Sequence, residues 1–521
     1  MYEEMKNLAE RYHAGQFRGG VDGNVPYIEH PRAVVRQLLN WGEPEESDAA
    51  AMAWGHDLLE DTAVSDAELL KASNARVLDG IVLLTRVRYG DRGPKRPKRD
   101  YLRAVAASGS RDCLLVKVSD RLANARDFAR GEGPRRGFLY LHDADCVFAA
   151  LCALPADPAV KNAMAAWQEL DDRLRPGARR EMIRGCLLGG AVGDALGSPV
   201  EFLDKKSICE LFGEKGITGY AEFRDGTGAV TDDTQMTLFT AEGILRACVR
   251  SRERGVCDPV SVMRFAYWRW LKTQGGRVPE TNFQEALTSG WLIREKQLFS
   301  DRAPGRTCIT ALEAGGHAEK AFNKSKGCGT VMRMAPAGLF FEPERAYEYG
   351  CKFSALTHGH PTGITSGGAF AMLISLLAAG KSLGDALDRL LNFLDGRPDA
   401  AETAAALRKA RTADDIAELG QGWVAEEALA VGVFCALKHT WDFKSGVLEA
   451  VNITGDSDST GSVAGNILGV MNGESGIPAH WRENLREYRI VSQTADDLWT
   501  GCEEDADGGV TPEWWAKYPG F

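Results

Sequence analysis

The residues best suited to chemistry in the first third of the chain combine imidazole and carboxylate side chains. They are His30, His56, Asp57 and Asp120. Such a mixed donor set suits a borderline or hard divalent ion such as Mn, Fe or Zn. Residues four apart share a helix face, so we expect Asn124 beside Asp120 and Glu60 beside His56. The pattern predicts a metal-activated water that attacks phosphorus, although one His-Asp pair by itself is more often structural.

A second set of residues, in the C-terminal two-thirds of the chain, supplies only oxygen ligands. It consists of two short clusters, TDDT at residues 231–234 and GDSDST at residues 455–460. Carboxylates and hydroxyls are hard ligands that favour Mg over zinc. Two such clusters can hold two ions close together, which clamps and polarises oxygen atoms. Thr and Asp also favour helix starts, so either cluster alone is more simply explained as a helix cap.

Four short motifs surround the first set of residues. They read HAGQFR at 13–18, PYIEHP at 26–31, GHDLLEDT at 55–62 and VKVSDRLAN at 116–124. Together they resemble the HD hydrolase domain of the stringent-response alarmone synthetase/hydrolases and of their small stand-alone relatives. The chain departs from that family in a longer loop at residues 19–24 and in Ala123, where the family has His.

The resemblance to the HD hydrolases implies a reaction and a set of roles. One Mn ion would be held by the two imidazoles and two carboxylates of the first set. The domain would remove the 3′-pyrophosphate from a nucleotide such as ppGpp. Glu60 and Asp61 would orient or activate water, and Arg18 and Asn124 would contact the nucleotide.

Motifs also surround the second set, in a fixed order along the chain. They read IRGCLLGGAVGDALG at 183–197, TDDTQM at 231–236, GCGTVMR at 327–333, LTHGHP at 356–361 and GDSDST at 455–460. In this order they resemble the ADP-ribosylglycohydrolase family, which includes the dinitrogenase reductase-activating glycohydrolase. The resemblance covers about residues 181–475. It implies a compact all-α fold, two Mg ions and hydrolysis at the anomeric carbon of ADP-ribose.

The same resemblance assigns roles to individual residues. The metal ligands would be Thr231, Asp232, Asp233, Asp456, Asp458 and Ser459. The phosphate-binding loop would consist of Gly327, Cys328, Gly329, Thr330, Val331 and Met332. Its glycines let backbone N–H groups converge on an anion. Glu201 would be the catalytic carboxylate at the scissile ribose, and His358 would lie near bound ADP-ribose. Trp423 is more simply explained by packing than as an adenine platform, although its ring permits stacking.

Helices must position these residues, because the sequence pattern is overwhelmingly helical. Ala, Leu and Glu recur at helical spacing, and alternating β-branched runs are scarce. Ser47 is expected to cap a helix that runs to about Glu60, and another helix is expected at residues 112–127. The segment 174–180, LRPGARR, predicts a break. We therefore expect an all-α protein with an HD-type domain at residues 1–175 and an ADP-ribosylglycohydrolase-like domain at residues 181–521.

Composition narrows the classes of function. A formal net charge of −11 disfavours broad binding to nucleic acid. The 12 cysteines form no C-x-x-C pair, which argues against a zinc ribbon and favours free thiols in a reducing cytoplasm. The N-terminus has no apolar secretory segment, and the apolar stretch 186–200 is too short to span a bilayer. We expect a cytoplasmic location and no membrane partner.

The main hypothesis is a bifunctional hydrolase of nucleotide derivatives. Its partners would be an ADP-ribosylated protein or small ADP-ribosyl compound for one domain and a ppGpp-like nucleotide for the other. One alternative is a nucleotide sensor, in which one domain binds its ligand without turnover; two intact ligand sets argue against it. Another alternative is a hydrolase of a different ribosyl or phosphoribosyl compound, because a fold does not fix a substrate.

Overall fold

The computed structural model describes residues 1–18, 25–90, 96–223, 226–315, 320–501 and 509–520. The chain divides into two compact units, Met1–Ala178 (unit 1) and Arg179–Phe521 (unit 2). Helices dominate both, and the described strands form only two short antiparallel pairs, so the all-α prediction is confirmed. The longer loop at residues 19–24 lies outside the described residues.

Unit 1 is built mainly of short helices around α2, α3 and α8, which pack on one another. Its helices are α1 (Tyr2–Tyr12), α2 (Glu29–Trp41), α3 (Asp48–Gly55), α4 (Leu58–Asp61), α5 (Asp66–Ala72), α6 (Ala75–Leu84), α7 (Lys98–Ala107), α8 (Arg111–Glu132), α9 (Pro134–His142), α10 (Asp145–Cys152) and the first part of α11 (Pro158–Gly197). Strands β1 (Phe17–Arg18) and β2 (Val25–Pro26) pair antiparallel. The helix expected at residues 112–127 lies within α8. Buried Leu38, Met52 and Leu115 contribute to the core of this unit.

The prediction of one continuous helix from residue 47 to residue 60 is wrong. Ser47 does cap a helix, since its hydroxyl accepts from the Ala50 N–H at 3.1 Å, but that helix, α3, ends at Gly55. A turn at His56 and Asp57 separates it from α4. The His56 Nδ1 lies 2.7 Å from the Ala53 carbonyl oxygen. The chain therefore changes direction at this turn, and the contact to Ala53 orients the His56 imidazole. Helix propensity along the sequence does not predict such a contact.

The predicted break at residues 174–180 is also wrong, because α11 is continuous through Pro176. Proline lacks an N–H, so the helix loses one hydrogen bond there, and an interior proline costs about 3 kcal/mol. Buried apolar positions nevertheless continue at four-residue spacing through Leu174, Ala178 and Met182. Burial along the helix outweighs the local preference of the Pro-Gly pair. Only the break in the helix is contradicted, since the division between the two units lies within the same segment, between Ala178 and Arg179.

Unit 2 is a larger helical body. After α11 its helices are α12 (Lys205–Phe212), α13 (Asp232–Arg254), α14 (Pro259–Thr273), α15 (Gln284–Thr288), α16 (Arg306–Ala314), α17 (Ala335–Phe340), α18 (Pro343–Ala355), α19 (Pro361–Ala378), α20 (Leu383–Leu394), α21 (Ala401–Ala410), α22 (Ala425–Lys438), α23 (Phe443–Val451), α24 (Ser457–Asn472), α25 (Ala479–Glu483), α26 (Tyr488–Thr500) and α27 (Pro512–Lys517). Short 3-10 turns lie at Leu292–Arg294, Lys296–Leu298, Cys328–Thr330, Pro398–Ala400, Ile416–Leu419 and Glu474–Gly476. Strands β3 (Glu222–Phe223) and β4 (Gly226–Thr227) pair antiparallel.

Helix α19 is central to the core of unit 2. It is the one helix among the described residues that is long and apolar enough to cross a membrane, with a mean hydropathy of 1.4 over 18 residues. Of that segment 83% is buried inside the protein, against α17, α18 and α22 among others. The helix is therefore explained by core packing.

Helices α11 and α24 meet backbone to backbone along a row of glycines spaced four residues apart. Gly185, Gly189 and Gly193 of α11 face Gly469, Gly465 and Gly461 of α24. A methyl group at Gly193 would lie 1.9 Å from the Gly461 carbonyl oxygen, and one at Gly465 would lie 2.0 Å from the Gly189 carbonyl oxygen. Both distances are far inside van der Waals contact. Only glycine permits this approach, which brings the C-terminal end of α11 to the N-terminal end of α24.

Replacing Gly193 with alanine should therefore destabilise unit 2. The neighbouring atoms are backbone and cannot rotate away, so the free energy of unfolding should fall by about 1–3 kcal/mol or more. Urea unfolding followed by tryptophan fluorescence measures the change. Gly219→Ala is the matched control, because nothing lies within 4 Å of the methyl group it adds. Equal stability of the two variants would contradict the proposed backbone contact.

Candidate active sites of the two units

The two imidazoles and two carboxylates predicted to bind a metal in unit 1 lie together. The Nε2 atom of His30 lies 3.2 Å from an oxygen of Asp120 and 3.5 Å from an oxygen of Asp57. The Nε2 atom of His56 lies 3.2 Å from the same Asp57 oxygen and 3.3 Å from the His30 Nε2. Helix α2, the turn after α3, and α8 each contribute to the cluster. Three segments that are distant in sequence thus converge on one point.

This unit 1 cluster fits one divalent ion. The His56 Nδ1 faces a carbonyl oxygen, so it carries the proton and leaves Nε2 as a lone-pair donor. Ligands held at about 2.1 Å from one ion are separated from each other by about 3.0–3.4 Å, close to the distances found here. Burial favours the neutral imidazole, but the charges of Asp57 and Asp120, together with hydrogen bonds to Asp57 and to the Ala53 carbonyl, raise the pKa of His56 to about 9. A cation would take the place of that proton.

The acids predicted to position water, Glu60 and Asp61, lie in α4 beside the cluster. An oxygen of Glu60 accepts from the Arg86 N–H at 3.0 Å, and burial raises the pKa of Glu60. The Tyr27 hydroxyl lies 2.5 Å from an oxygen of Asp61 and 2.9 Å from an oxygen of Asp57. Burial also raises the pKa of Tyr27, so its hydroxyl stays protonated and donates. Tyr27 therefore connects a metal-ligand candidate to a water-positioning candidate.

Sequence reasoning did not assign a role to Tyr27 or to Lys117. Lys117 Nζ lies 2.8 Å from an oxygen of Asp120. Burial opposes ionisation of Asp120, but the positive charge of Lys117 acts together with His30 and His56 to hold its pKa well below the usual value. Both residues lie inside motifs that resemble the HD hydrolases, and this position was the only indication of a role in the sequence. A phenol and an ammonium group are not typical metal ligands, so residue type alone did not indicate them.

The two predicted nucleotide contacts of unit 1 are joined to the imidazole–carboxylate cluster by hydrogen bonds. Arg18 donates to the side-chain oxygen of Asn124 at 2.5 Å. Asn124 in turn donates from its amide nitrogen to Asp120 at 2.6 Å. Arg18 also stands over the Tyr27 ring, 5.5 Å from its centroid. The guanidinium is thus held at the edge of the cluster, where a phosphate group could reach it.

In unit 2, three carboxylates from two separate segments converge. Glu201, Asp456 and Asp458 have oxygen atoms that all lie within 4.8 Å of one another. Glu201 follows the C-terminal end of α11, whereas Asp456 and Asp458 lie at the start of α24. Asp458 accepts from the Ser459 N–H at 2.9 Å, and Asp456 accepts from the same N–H at 3.3 Å. Burial and the charges of Asp458 and Asp456 raise the pKa of Glu201 to about 10.

The TDDT motif lies at the start of α13 and faces this cluster. The Thr231 side chain caps the helix by accepting from the Asp233 N–H at 3.3 Å. Burial raises the pKa of Asp458, and a hydrogen bond from the Thr231 side chain works against that rise. Asp232 accepts from the Gly305 N–H at 3.0 Å. The motif therefore serves as a helix cap and also adds oxygen donors at the carboxylate cluster.

Asp194 is a buried acid to which sequence reasoning assigned no role. Its carboxylate accepts from the Thr231 N–H at 3.0 Å, from the Thr234 N–H at 3.1 Å and from the Thr234 hydroxyl at 2.5 Å. Burial and the charge of Asp458 raise its pKa to about 7. Asp194 thus holds the first turn of α13 against α11. Its one sequence signal was a lone charge within the apolar stretch 186–200.

The acidic donor set of unit 2 fits divalent cations. One oxygen of Asp233 is buried and has no hydrogen-bond partner among the described residues. Burial, together with the charges of Asp458 and Asp194, raises the pKa of Asp233 well above its usual value. Buried carboxylates in such proximity are costly unless they are protonated or paired with a cation. Hard oxygen donors of this kind favour Mg-like ions.

The predicted phosphate loop borders the same cluster. Burial and the charge of Asp456 raise the pKa of the Cys328 thiol, which places this loop residue beside the acids. The Cys328 N–H donates to the Trp423 carbonyl oxygen at 3.1 Å. Arg333, which is fully buried, donates to the Gly329 carbonyl oxygen. The 3-10 turn of the loop is therefore held by a hydrogen bond from the Cys328 N–H and by another to the Gly329 carbonyl oxygen.

His358 lies behind the phosphate loop. Its Nδ1 atom is 2.8 Å from the Thr357 hydroxyl oxygen, and the same hydroxyl oxygen accepts from Arg333 at 2.7 Å. Burial and the charge of Arg333 lower the pKa of His358 to about 3, so its imidazole is neutral. A methyl group at Gly329 would lie 3.1 Å from the His358 ring. Arg333 had no predicted role, although it ends the GCGTVMR motif.

Comparisons with known proteins bear on both units. The ADP-ribosylglycohydrolase family model matches residues 175–508. The chain is 26% identical over 364 residues to ADP-ribosylarginine hydrolase Tri1 of Serratia proteamaculans, which covers 68% of this chain and 88% of the relative. It is 27% identical over 323 residues to ADP-ribosyl-[dinitrogen reductase] glycohydrolase of Rhodospirillum rubrum, which covers 60% of this chain and 94% of the relative.

Another relative matches a shorter stretch of the chain. The chain is 31% identical over 131 residues to guanosine-3′,5′-bis(diphosphate) 3′-pyrophosphohydrolase MESH1 of Danio rerio, covering 24% of this chain and 68% of the relative.

A solved structure described as an ADP-ribosylglycohydrolase-related protein complex is 25% identical, covers 62% of this chain and 98% of its own, and has a TM-score of 0.46. The family model matches well over half of the residues, and the chain therefore belongs to the ADP-ribosylglycohydrolase family of hydrolases.

Proposed function

We propose that unit 2 hydrolyses the N- or O-glycosidic bond between ADP-ribose and a modified protein or small compound, and so releases ADP-ribose. The observation that carries this proposal is the buried convergence of Glu201, Asp456 and Asp458 within 4.8 Å. The glycine-containing loop 327–332, predicted to bind phosphate, lies beside it. The printed names of the bacterial relatives, a hydrolase of ADP-ribosylarginine and a glycohydrolase of ADP-ribosyl-dinitrogen reductase, support the same reaction.

The residues proposed to hold two Mg ions are those of the two acidic clusters, Thr231, Asp232, Asp233, Asp456, Asp458 and Ser459. Such ions supply polarisation of the ribose hydroxyls. Burial and the neighbouring acids raise the pKa of Glu201 to about 10, and the positive charge of bound cations would lower it, so that the carboxylate could accept a proton from the attacking water. The water oxygen bonds to the anomeric carbon while the bond to the acceptor breaks, and a proton ends on the departing nitrogen or oxygen. Asp194 holds Thr231 in place throughout.

For unit 1 we propose hydrolysis of the 3′-pyrophosphate of a ppGpp-like nucleotide. The supporting observation is that two imidazole Nε2 atoms face each other at 3.3 Å with carboxylates of Asp57 and Asp120 alongside. These four side chains would hold one Mn or similar ion, whose chemistry would be to make water more acidic. Glu60 and Asp61 would orient that water, and Arg18 would bind a phosphate oxygen through its guanidinium. The similarity to the MESH1 pyrophosphohydrolase of Danio rerio supports this proposal.

The two reactions should be separable by single substitutions. Asp458→Asn should lower kcat/KM for release of ADP-ribose by about 100-fold or more, because loss of even an outer-shell metal contact costs about 10–100-fold. It should leave ppGpp hydrolysis unchanged. Mass spectrometry of the products formed from arginine- and serine-linked ADP-ribosyl peptides and from ppGpp, with Mg and Mn present, measures both activities.

Asp57→Asn should give the opposite result, with loss of ppGpp hydrolysis and retention of ADP-ribose release. Matched controls are Asp414→Asn in unit 2 and Asp79→Asn in unit 1, since both side chains are exposed. Absence of turnover of every substrate by the wild-type protein, with metal bound, would reject these assignments and favour a nucleotide sensor or a different ribosyl substrate.

Metal binding should be divided between the units in the same way. Protein stripped with EDTA is titrated with Mn²⁺, and electron paramagnetic resonance of the free ion gives the number of ions bound per chain. Substitutions in unit 1 and in unit 2 should each remove a different part of that number. Asp57→Asn should remove about one ion per chain, because the imidazoles alone bind weakly, and Asp458→Asn should remove those of the acidic cluster. Unchanged stoichiometry in Asp57→Asn would contradict the metal site proposed for unit 1.

Tyr27→Phe should lower the rate of ppGpp hydrolysis by about 10–100-fold, because the phenol orients both Asp57 and Asp61. Steady-state kinetics with Mn²⁺ measures the change. Tyr12→Phe is a matched control, since its hydroxyl donates to Glu68 at 2.7 Å and does not contact the cluster. If both variants keep the wild-type rate, the hydroxyl of Tyr27 has no positioning role.

A further inference from the structure

Phe202 directly follows Glu201 and has two costly features. Its φ angle is +69°, and it is one of two described residues other than glycine with positive φ. Its side chain is 71% exposed to solvent. The left-handed region is strained for a bulky residue, and such strain concentrates at functional sites. Neither burial nor backbone preference explains this aromatic ring.

The Phe202 ring has one aromatic partner across the site. It stacks on Trp423 with ring centroids 5.2 Å apart and planes inclined by 22°. Trp423 precedes α22 and is only half-buried. Its carbonyl oxygen accepts from the phosphate-loop residue Cys328, and the nearby Gln421 carbonyl oxygen accepts from the Asp456 N–H at 2.8 Å. The pair therefore joins the residue after Glu201 to a segment tied to both the phosphate loop and the carboxylates.

The chemistry of this pair suits a flat cation. Both rings are accessible at the rim of a strongly acidic site. Guanidinium groups stack on aromatic faces, and they do so with less loss of hydration than ammonium groups. A hydroxyl-bearing acceptor such as serine has no comparable face. A leaving group attached at the anomeric carbon would lie next to Glu201, and therefore next to Phe202.

We propose that Phe202 and Trp423 form an aromatic clamp in which Trp423 backs the Phe202 ring and the exposed outer face of Phe202 holds the planar, cationic leaving group of the substrate. This clamp determines discrimination between guanidinium and hydroxyl acceptors. The proposal rests on the ADP-ribose-releasing function of unit 2. In this proposal Trp423 lies on the leaving-group side of the site. Its role is then neither core packing nor stacking on adenine. The left-handed backbone of Phe202 serves to direct the ring toward Trp423.

The first test compares turnover of arginine-linked and serine-linked ADP-ribosyl peptides by the full-length chain. Phe202→Leu and Trp423→Leu keep apolar volume but remove the aromatic face. Each should lower kcat/KM for the arginine-linked peptide by about 5- to 30-fold, with less than about 2-fold change for the serine-linked peptide. Phe202→Tyr should retain wild-type discrimination. Trp441→Leu is the control, since this indole is 60% exposed but belongs to the turn between α22 and α23.

A second measurement is independent of turnover. The metal-loaded protein is first saturated with ADP-ribose. Isothermal titration with agmatine, and separately with N-acetylserinamide, then measures binding at the clamp. Agmatine should bind to the wild-type protein and about 5- to 30-fold more weakly to Phe202→Leu, whereas N-acetylserinamide should not distinguish them. Weaker binding of ADP-ribose itself to Trp423→Leu would instead assign that ring to adenine and overturn the proposal.

The two measurements separate the possible failures. If the wild-type protein cleaves the arginine-linked peptide and the leucine variants cleave it equally well, the clamp is rejected and the proposed function stands. If no ADP-ribosyl peptide is cleaved but agmatine binding depends on Phe202, the proposed reaction fails while the cation clamp is supported. Absence of agmatine binding to the wild-type protein, together with unchanged discrimination in the variants, overturns the clamp outright.

Discussion

The backbone contact between α11 and α24 is the constraint on which the acidic site depends. Glycines at four-residue spacing let two helices approach until their carbonyl groups and α-carbons touch, and a Cβ at Gly193 would be 1.9 Å from a carbonyl oxygen. This contact sets the C-terminal end of one helix against the N-terminal end of the other. Glu201 therefore meets Asp456 and Asp458, and a bulkier residue at the contact would separate the carboxylates.

The two units handle buried charge differently. In unit 1, Lys117 and the two imidazoles offset Asp57 and Asp120, and the pKa values of both acids lie below their usual values. In unit 2, burial and mutual repulsion raise the pKa values of Glu201 and Asp233. The first arrangement is partly neutralised by the protein itself, whereas the described protein groups around the second offer no comparable positive charge. The donor types follow the same division, with nitrogen and oxygen in one site and oxygen alone in the other.

Residues that were not predicted to bind a ligand hold each site in shape. Tyr27 connects two acids of unit 1, Asp194 binds the first turn of α13, and Arg333 fixes the phosphate loop through Gly329 and Thr357. Each is buried or half-buried and makes two or more polar contacts. Such partners orient ligands and restrict their motion, and their loss commonly has effects as large as 10–100-fold. They define the geometry that the ligand-bearing motifs require.

The sequence by itself determined the all-α class, the two acidic clusters, the imidazole–carboxylate set and the loop 327–332, because residue type, helical spacing and contiguous motifs are local properties. It could not place the end of α3 at Gly55, where a side chain contacts the backbone, nor the continuity of α11 through Pro176, where burial outweighs propensity. Tertiary structure alone decided that Asp194, Tyr27 and Arg333 support the sites and that Phe202 meets Trp423. These contacts join segments tens to hundreds of residues apart, and only packing brings such segments within hydrogen-bonding or stacking distance.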